Sequence, residues 1–147
     1  MKNRLLIPLC LILSLCILSC RESLVELTDL RCEYRINPLG IDNTAPRLSW
    51  KLIEAIPTRG QKQTAYQILV ASSLDILNND KGDVWDSGKI ETNQSVNNTY
   101  QGKTLESAKQ YFWKVKIWDD SGNSSSWSEL ATFSMGLLNQ EDWKGEW

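Results

Sequence analysis

The sequence predicts an all-β fold: a sandwich of two packed sheets made from about seven strands, preceded by a signal peptide. Three observations carry that prediction. After residue 20 no segment keeps apolar residues at i, i+3, i+4 and i+7 over three turns. Apolar and polar residues alternate instead, and clusters of Gly, Asn, Asp and Pro interrupt them at the spacing of a sandwich. The length of 147 residues suits one domain with a core of its own.

The first strand is expected over roughly Leu24 to Tyr34, with Leu27, Leu30 and Cys32 as its apolar residues. Leu48, Trp50 and Leu52 form one face of the second, which starts just after Pro46, where a strand can spare an N–H. In the third, Tyr66, Ile68 and Val70 alternate with Ala65, Gln67, Leu69 and Ala71. A single helical turn is expected over Leu74 to Asn79, too short to stand without packing. Short strands follow at Val84–Asp86, closing on the turn Ser87-Gly88, and at Val96–Tyr100. The sixth strand is the clearest, since Tyr111, Trp113, Val115 and Ile117 point one way and Phe112, Lys114, Lys116 and Trp118 the other. Lysine heads are costly to bury unpaired, so the first set faces the core. Asp119-Asp120-Ser121-Gly122-Asn123 then supplies a turn, and a return strand is expected over about Trp127 to Met135.

Ahead of these strands, Lys2 and Arg4 precede an apolar run from Leu5 to Leu18, too short for a membrane span and right for a secretory signal. Ile17-Leu18-Ser19-Cys20 resembles a bacterial lipobox, which implies cleavage after residue 19 and lipidation of Cys20. The expected organisation is therefore a signal peptide at 1–19, a tether at 20–26, a sandwich at 27–136 and a linker at 137–147. The tether from Cys20 to Leu24 reaches at most roughly 14–16 Å, which places the domain close to a lipid surface in the bacterial cell envelope. Cys10 and Cys16 leave with the signal, so Cys32 is the one free thiol, read as a small buried hydrophobe.

Composition excludes several function classes. With no His, Ser-His-Asp and Cys-His catalysis and His metal sites are ruled out. A net charge of −2 leaves no electrostatic footprint for nucleic acid. Asp86-Ser87-Gly88 and Asp119–Asn123 lack the ligand spacing of a calcium loop, so no metal and no cofactor are expected. The triplets at Asn93, Asn97 and Asn123 are glycan acceptors only in a eukaryotic secretory route, against which the lipobox argues.

The absence of a second structural Cys excludes the antibody-type Cys…Trp…Cys core, whereas Trp50 and Tyr111 resemble a fibronectin type III or immunoglobulin-like arrangement. Leu105, ahead of Tyr111, resembles the lead-in to a tyrosine corner. Trp50, Tyr66, Tyr111 and Trp113 are read as core anchors. More specific are Asn37-Pro38-Leu39-Gly40-Ile41-Asp42, Pro46-Arg47-Leu48-Ser49-Trp50, Gln63 through Ser72 and Val84-Trp85-Asp86-Ser87-Gly88-Lys89. Tyr111 through Asp119, Trp127-Ser128-Glu129, Gly136-Leu137-Leu138 and Asp142-Trp143-Lys144-Gly145-Glu146-Trp147 complete the set. In this order they resemble the N-terminal β-sandwich of bacterial α-L-rhamnosidases, glycoside hydrolase family 78. The resemblance implies a parent enzyme that hydrolyses terminal α-L-rhamnose with inversion, using two carboxylic acids in a large helical barrel absent from this chain. It also implies that residues 137–147 lead into a further module. No catalytic residue is carried over, and the adjacent acids Asp119/Asp120 and Glu141/Asp142 have no spacing that suggests a pocket.

The remaining candidate is the outward face of the sixth strand. Phe112 and Trp118 are too far apart to clamp one pyranose, but Trp118 beside Trp127 could offer a glycan platform. The plainer reading is that Phe112, Trp118 and Trp127 pack on a neighbouring module or lie under lysine stems. Expected partners are a membrane through Cys20, the downstream modules and a rhamnose-containing glycan. The rival function is a free-standing surface lipoprotein that binds glycan or protein.

Overall fold

A computed structural model describes residues 25–54 and 62–144. The expected signal peptide (1–19), Cys20 and Trp147 lie outside the described residues. In chain order the elements are β1 (Val25–Cys32), β2 (Arg47–Glu54), β3 (Ala65–Ala71), α1 (Leu74–Asn78), β4 (Trp85–Asp86), β5 (Ile90–Glu91), β6 (Asn98–Thr99), β7 (Gln110–Trp118) and β8 (Ala131–Ser134), then a 3₁₀ turn at Gln140–Asp142. One sheet has the order β1-β2-β6; the other runs β4-β3-β7-β8, with β5 also paired to β3. All the pairings between named strands are antiparallel, which gives the two-layer sandwich of the sequence reading. The added two-residue strand is β5, whose Ile90 and Glu91 are both exposed and so carry no burial alternation.

β1 shows how the sequence sets its register. Leu27 and Leu30 differ by an odd number and would point to opposite faces of a regular strand. Pairing passes from Thr28↔Lys51 to Arg31↔Ser49, so one extra residue bulges out, and Asp29 adopts φ 50°. Both leucines and Cys32 thereby enter the core. Pairing already begins at Val25, which is buried against the sandwich, so residues 25 and 26 belong to the strand rather than to the tether.

In the larger sheet Tyr66, Ile68 and Val70 oppose Ile117, Val115 and Trp113 on the inner face. Trp50, Tyr111, Trp113 and Tyr66 are buried there, with Trp50 edge-on to Tyr66 at 5.2 Å between ring centroids. The Trp50 indole N–H donates to Gln63 Oε1 at 3.0 Å, and the buried Gln63 amide donates in turn to the carbonyls of Thr92 and Gln94. Tyr111 closes the corner, its phenol oxygen accepting the Glu106 N–H at 2.8 Å. The outer face of β3 is also buried. Ser73 caps α1, and Leu77 from this turn covers Leu69 and Ala71.

The unpaired edge of β8 is guarded by Asn37-Pro38-Leu39-Gly40-Ile41. Thr132 N–H donates to Asn37 Oδ1, Ser134 N–H to the Pro38 carbonyl, and the N–H of Gly40 to Ser134 Oγ. Gly40 at φ 66° lets the strip turn back so that the Ile41 N–H reaches the Ser134 carbonyl.

Candidate functional site

The outer face of β7 carries the aromatic and cationic side chains singled out above. Gln67, Leu69 and Ala71 of β3 lie opposite Lys116, Lys114 and Phe112. Phe112 does not stand free: with Trp127 and Ile76 it packs on Leu69, Ala71 and Leu77 in the small cluster under α1. Trp127 therefore covers apolar surface that the helix leaves open. Lys114 is the exception to an outward lysine row. Its side chain is only 10% exposed, its ammonium lies 5.1 Å from the Trp127 ring centre, and it pairs with Asp80. The expectation that lysine marks the wet face fails here because Asp80 reaches over to satisfy the charge.

Between Trp118 and Trp127 sits the Lys116 ammonium, 5.2 Å from one ring centre and 4.6 Å from the other. Lys89 adds a second cation at 5.1 Å from Trp118. Each such contact is worth about 0.5–1 kcal/mol at an exposed site. A pyranose stacking on this pair would have to displace Lys116 first. The structure thus brings Trp118 and Trp127 together only through a lysine, and it places Phe112 in the helix-covered cluster.

Trp127 is held by a segment that is not a regular strand. Ser125 and Ser128 each donate their N–H to β7 (Ile117 and Val115 carbonyls, at 2.9 and 2.8 Å). Their hydroxyls accept the Ile117 and Val115 N–H at 3.0 and 3.1 Å, where a strand would offer carbonyls. Three residues here span what two span in β7, so β8 begins only at Ala131 instead of near Trp127. The serine spacing was the available signal, Ser128 having been read as part of the return strand. Ser87 does the same for β3, accepting from Ile68 N–H at 2.8 Å and donating its own N–H to the Ile68 carbonyl.

The carboxylates are engaged in turns. Asp119 is buried, and its Oδ1 accepts the N–H groups of Ser121 and Asn123 at 2.9 and 2.8 Å, with Gly122 at φ 80°. Asp86 Oδ1 accepts from Gln67 and from the Gly88 N–H. Asp142 binds the Ser107 hydroxyl and the Asn139 N–H, which lowers its pKa. Among the described residues no group of three His, Cys, Asp or Glu is placed to hold a metal ion, and no helix is long and apolar enough to cross a membrane.

Two sheets in this order, a tyrosine corner and motif side chains committed to backbone hydrogen bonds define the chain as an immunoglobulin-like β-sandwich domain. The family model described as the Rha78A-like, N-terminal immunoglobulin domain matches residues 27–139, and the chain belongs to that family. It is 42% identical over 146 residues to an α-L-rhamnosidase of Formosa agariphila, covering 96% of this chain and 15% of that protein. Among solved structures, the α-L-rhamnosidase of Dictyoglumus thermophilum matches at a TM-score of 0.77 and 47% identity, over 83% of this chain and 13% of that one. The Streptomyces avermitilis α-L-rhamnosidase complexed with L-rhamnose matches at 0.77 and 41%, over 84% and 12%. The chain spans 12–15% of the length of the curated relatives it matches.

Proposed function

We propose that the chain is the non-catalytic N-terminal accessory domain of a lipid-anchored α-L-rhamnosidase, holding the catalytic modules beside a bacterial membrane. The observation that carries this reading is the use of the motif side chains. Asn37, Asp86, Ser87, Tyr111, Asp119 and Ser128 all bond backbone groups of this domain. An inverting glycosidase needs two carboxyl groups about 6.5–9.5 Å apart across a sugar pocket, one of them with a raised pKa. The carboxyl groups of Asp29, Glu33, Asp83 and Asp142 all lie below their ordinary pKa values. The hydrolytic activity of the matched relatives then belongs to modules beyond this domain, and Phe112, Trp118 and Trp127 serve the scaffold or its contact with a neighbouring module.

Anchoring rests on the lipobox-like Ile17-Leu18-Ser19-Cys20. The test has two arms. Translation of the reading frame beyond codon 147 should run on into a large catalytic region; a stop codon in intact genomic context would contradict the accessory role. Expressed in a bacterial host, the chain should take up labelled palmitate and sediment with membranes. Cys20→Ser should abolish both, and unchanged labelling would refute the anchor.

A further inference from the structure

Past β8 the polypeptide stays bonded to the domain as far as Trp143. The Gly136 carbonyl accepts the Ala108 N–H at 3.0 Å, and the Gly136 N–H donates to the Ile41 carbonyl at 2.7 Å. Leu138 is partly buried and packs on the main core. Its N–H donates to Ser107 Oγ at 2.9 Å, and the same hydroxyl donates to Asp142 Oδ2. Asp142 Oδ2 also accepts the Asn139 N–H at 3.0 Å and the Asn139 side-chain amide at 3.1 Å. The 3₁₀ turn then closes, with the Asp142 N–H on the Asn139 carbonyl at 3.1 Å and the Trp143 N–H on the Gln140 carbonyl at 3.2 Å.

The part of the domain that holds this clasp is itself fixed. Ser107 follows Glu106, whose N–H is held by the buried Tyr111 phenol at 2.8 Å, and Leu105 is buried just before it. A line of bonds therefore runs from the core through the tyrosine corner and Ser107 to Asp142. Flexible linkers are rich in Gly and Ser, whereas Leu137 to Trp143 contains neither. Trp143, the next side chain after Asp142, is 72% exposed. A large apolar side chain presented on a fixed backbone has the form of an interface anchor, since it enters a partner's pocket with little conformational entropy left to lose.

The position of the clasp says which partner. The matched family is an N-terminal domain, and this chain spans 12–15% of the length of its curated relatives, so in them most of the polypeptide follows this segment. Resting on the accessory-domain reading above, we infer that residues 137–143 form a rigid mount, and that the module following in the same polypeptide seats an apolar pocket on Trp143. The direction in which the chain leaves is then set by this domain rather than by a hinge.

Two measurements test this. Nitrogen-15 relaxation of the full chain in detergent should give backbone order parameters of about 0.85 from Leu138 to Trp143, as for rigid backbone. Ser107→Ala and Asp142→Ala should each lower them below about 0.6 from Asn139 onward and leave β3 and β7 unchanged, while Glu141→Ala, an exposed neighbour in the same turn, should alter nothing. Low values in the unmodified chain, or no response to either clasp variant, would overturn the mount. The second measurement is tryptic cleavage after the exposed Lys144, followed by mass spectrometry. It should be at least about tenfold slower in the longer product of the open reading frame than in the 147-residue chain. Trp143→Ala should restore fast cleavage to the longer product, and Trp143→Phe should keep most of the protection. Equal cleavage in both proteins, or a dimer of the chain that Trp143→Ala dissociates, would remove the following module as the occupant. A stop codon after codon 147 would overturn the accessory reading and this occupant together, whereas mobile residues 138–143 beside an open frame would overturn the mount alone.

Discussion

The buried end of Lys114 gives the sharpest test of how the β7 face is built. Asp80→Asn keeps the side-chain shape and tolerates the φ of 55° at this position, but it leaves an ammonium whose side chain is 10% exposed without its counter-charge. Breaking a fully buried pair costs about 3–5 kcal/mol. Asp80 is itself 59% exposed, the asparagine oxygen still accepts a hydrogen bond, and Trp127 still faces the ammonium, so the expected cost is about 1.5 kcal/mol. For a domain of this size that lowers Tm by roughly 6 °C. Lys114→Met should be milder, about 0.5–1 kcal/mol, because it fills the same space under Trp127 and leaves behind a carboxylate that water can reach. The double variant should then sit within about 0.5 kcal/mol of Lys114→Met, a coupling on the order of 1 kcal/mol. Urea denaturation followed by tryptophan fluorescence measures all three. Additive effects, or an Asp80→Asn variant as stable as the parent, would refute the claim that Asp80 is what permits a lysine under the helix.

Other expectations follow from the same contacts. The Glu33 carboxyl is held down to about 2, chiefly by the Arg47 guanidinium, so its stabilisation is complete above about pH 4.5 and is lost as pH falls toward 2. Melting curves across that window should slope down, and Glu33→Gln should flatten the slope while lowering stability near neutrality. Burial pushes the Cys32 thiol up to about 12. In a version of the chain starting at Arg21, Ellman's reagent at pH 8 should therefore find no reactive thiol until urea unfolds the domain; fast reaction in the native state would contradict the buried placement. Tyr111→Phe removes the acceptor for the Glu106 N–H and should cost about 1–2 kcal/mol by the same urea assay.

Much of the architecture was legible because period-2 alternation is a strong signal where one face is buried. β7 follows it except at Lys114, the inner face of β3 pairs with it in the expected register, and the tyrosine corner follows from one aromatic placed after Leu105. Where the reading slipped, hydrogen bonds from side chains had replaced the backbone ladder. Ser125 and Ser128 stand in for a strand and delay β8 to Ala131, and ahead of the short β6 (Asn98–Thr99) the Asn97 N–H goes to the Ser49 hydroxyl instead of a carbonyl. Lys114 slipped for another reason. Its partner Asp80 lies 34 residues away on the far side of a helical turn, and no local pattern announces it. The aromatics of the β7 face were visible in sequence as a row, but the lysine between Trp118 and Trp127 shows only in three dimensions.

In the proposed role this domain positions a glycoside hydrolase and does no chemistry of its own. Incubation of the purified chain with 4-nitrophenyl α-L-rhamnopyranoside tests it most directly. Nitrophenol release should be no faster than in buffer alone from acid to neutral pH. Turnover that grows with the concentration of the chain and survives repurification would contradict it.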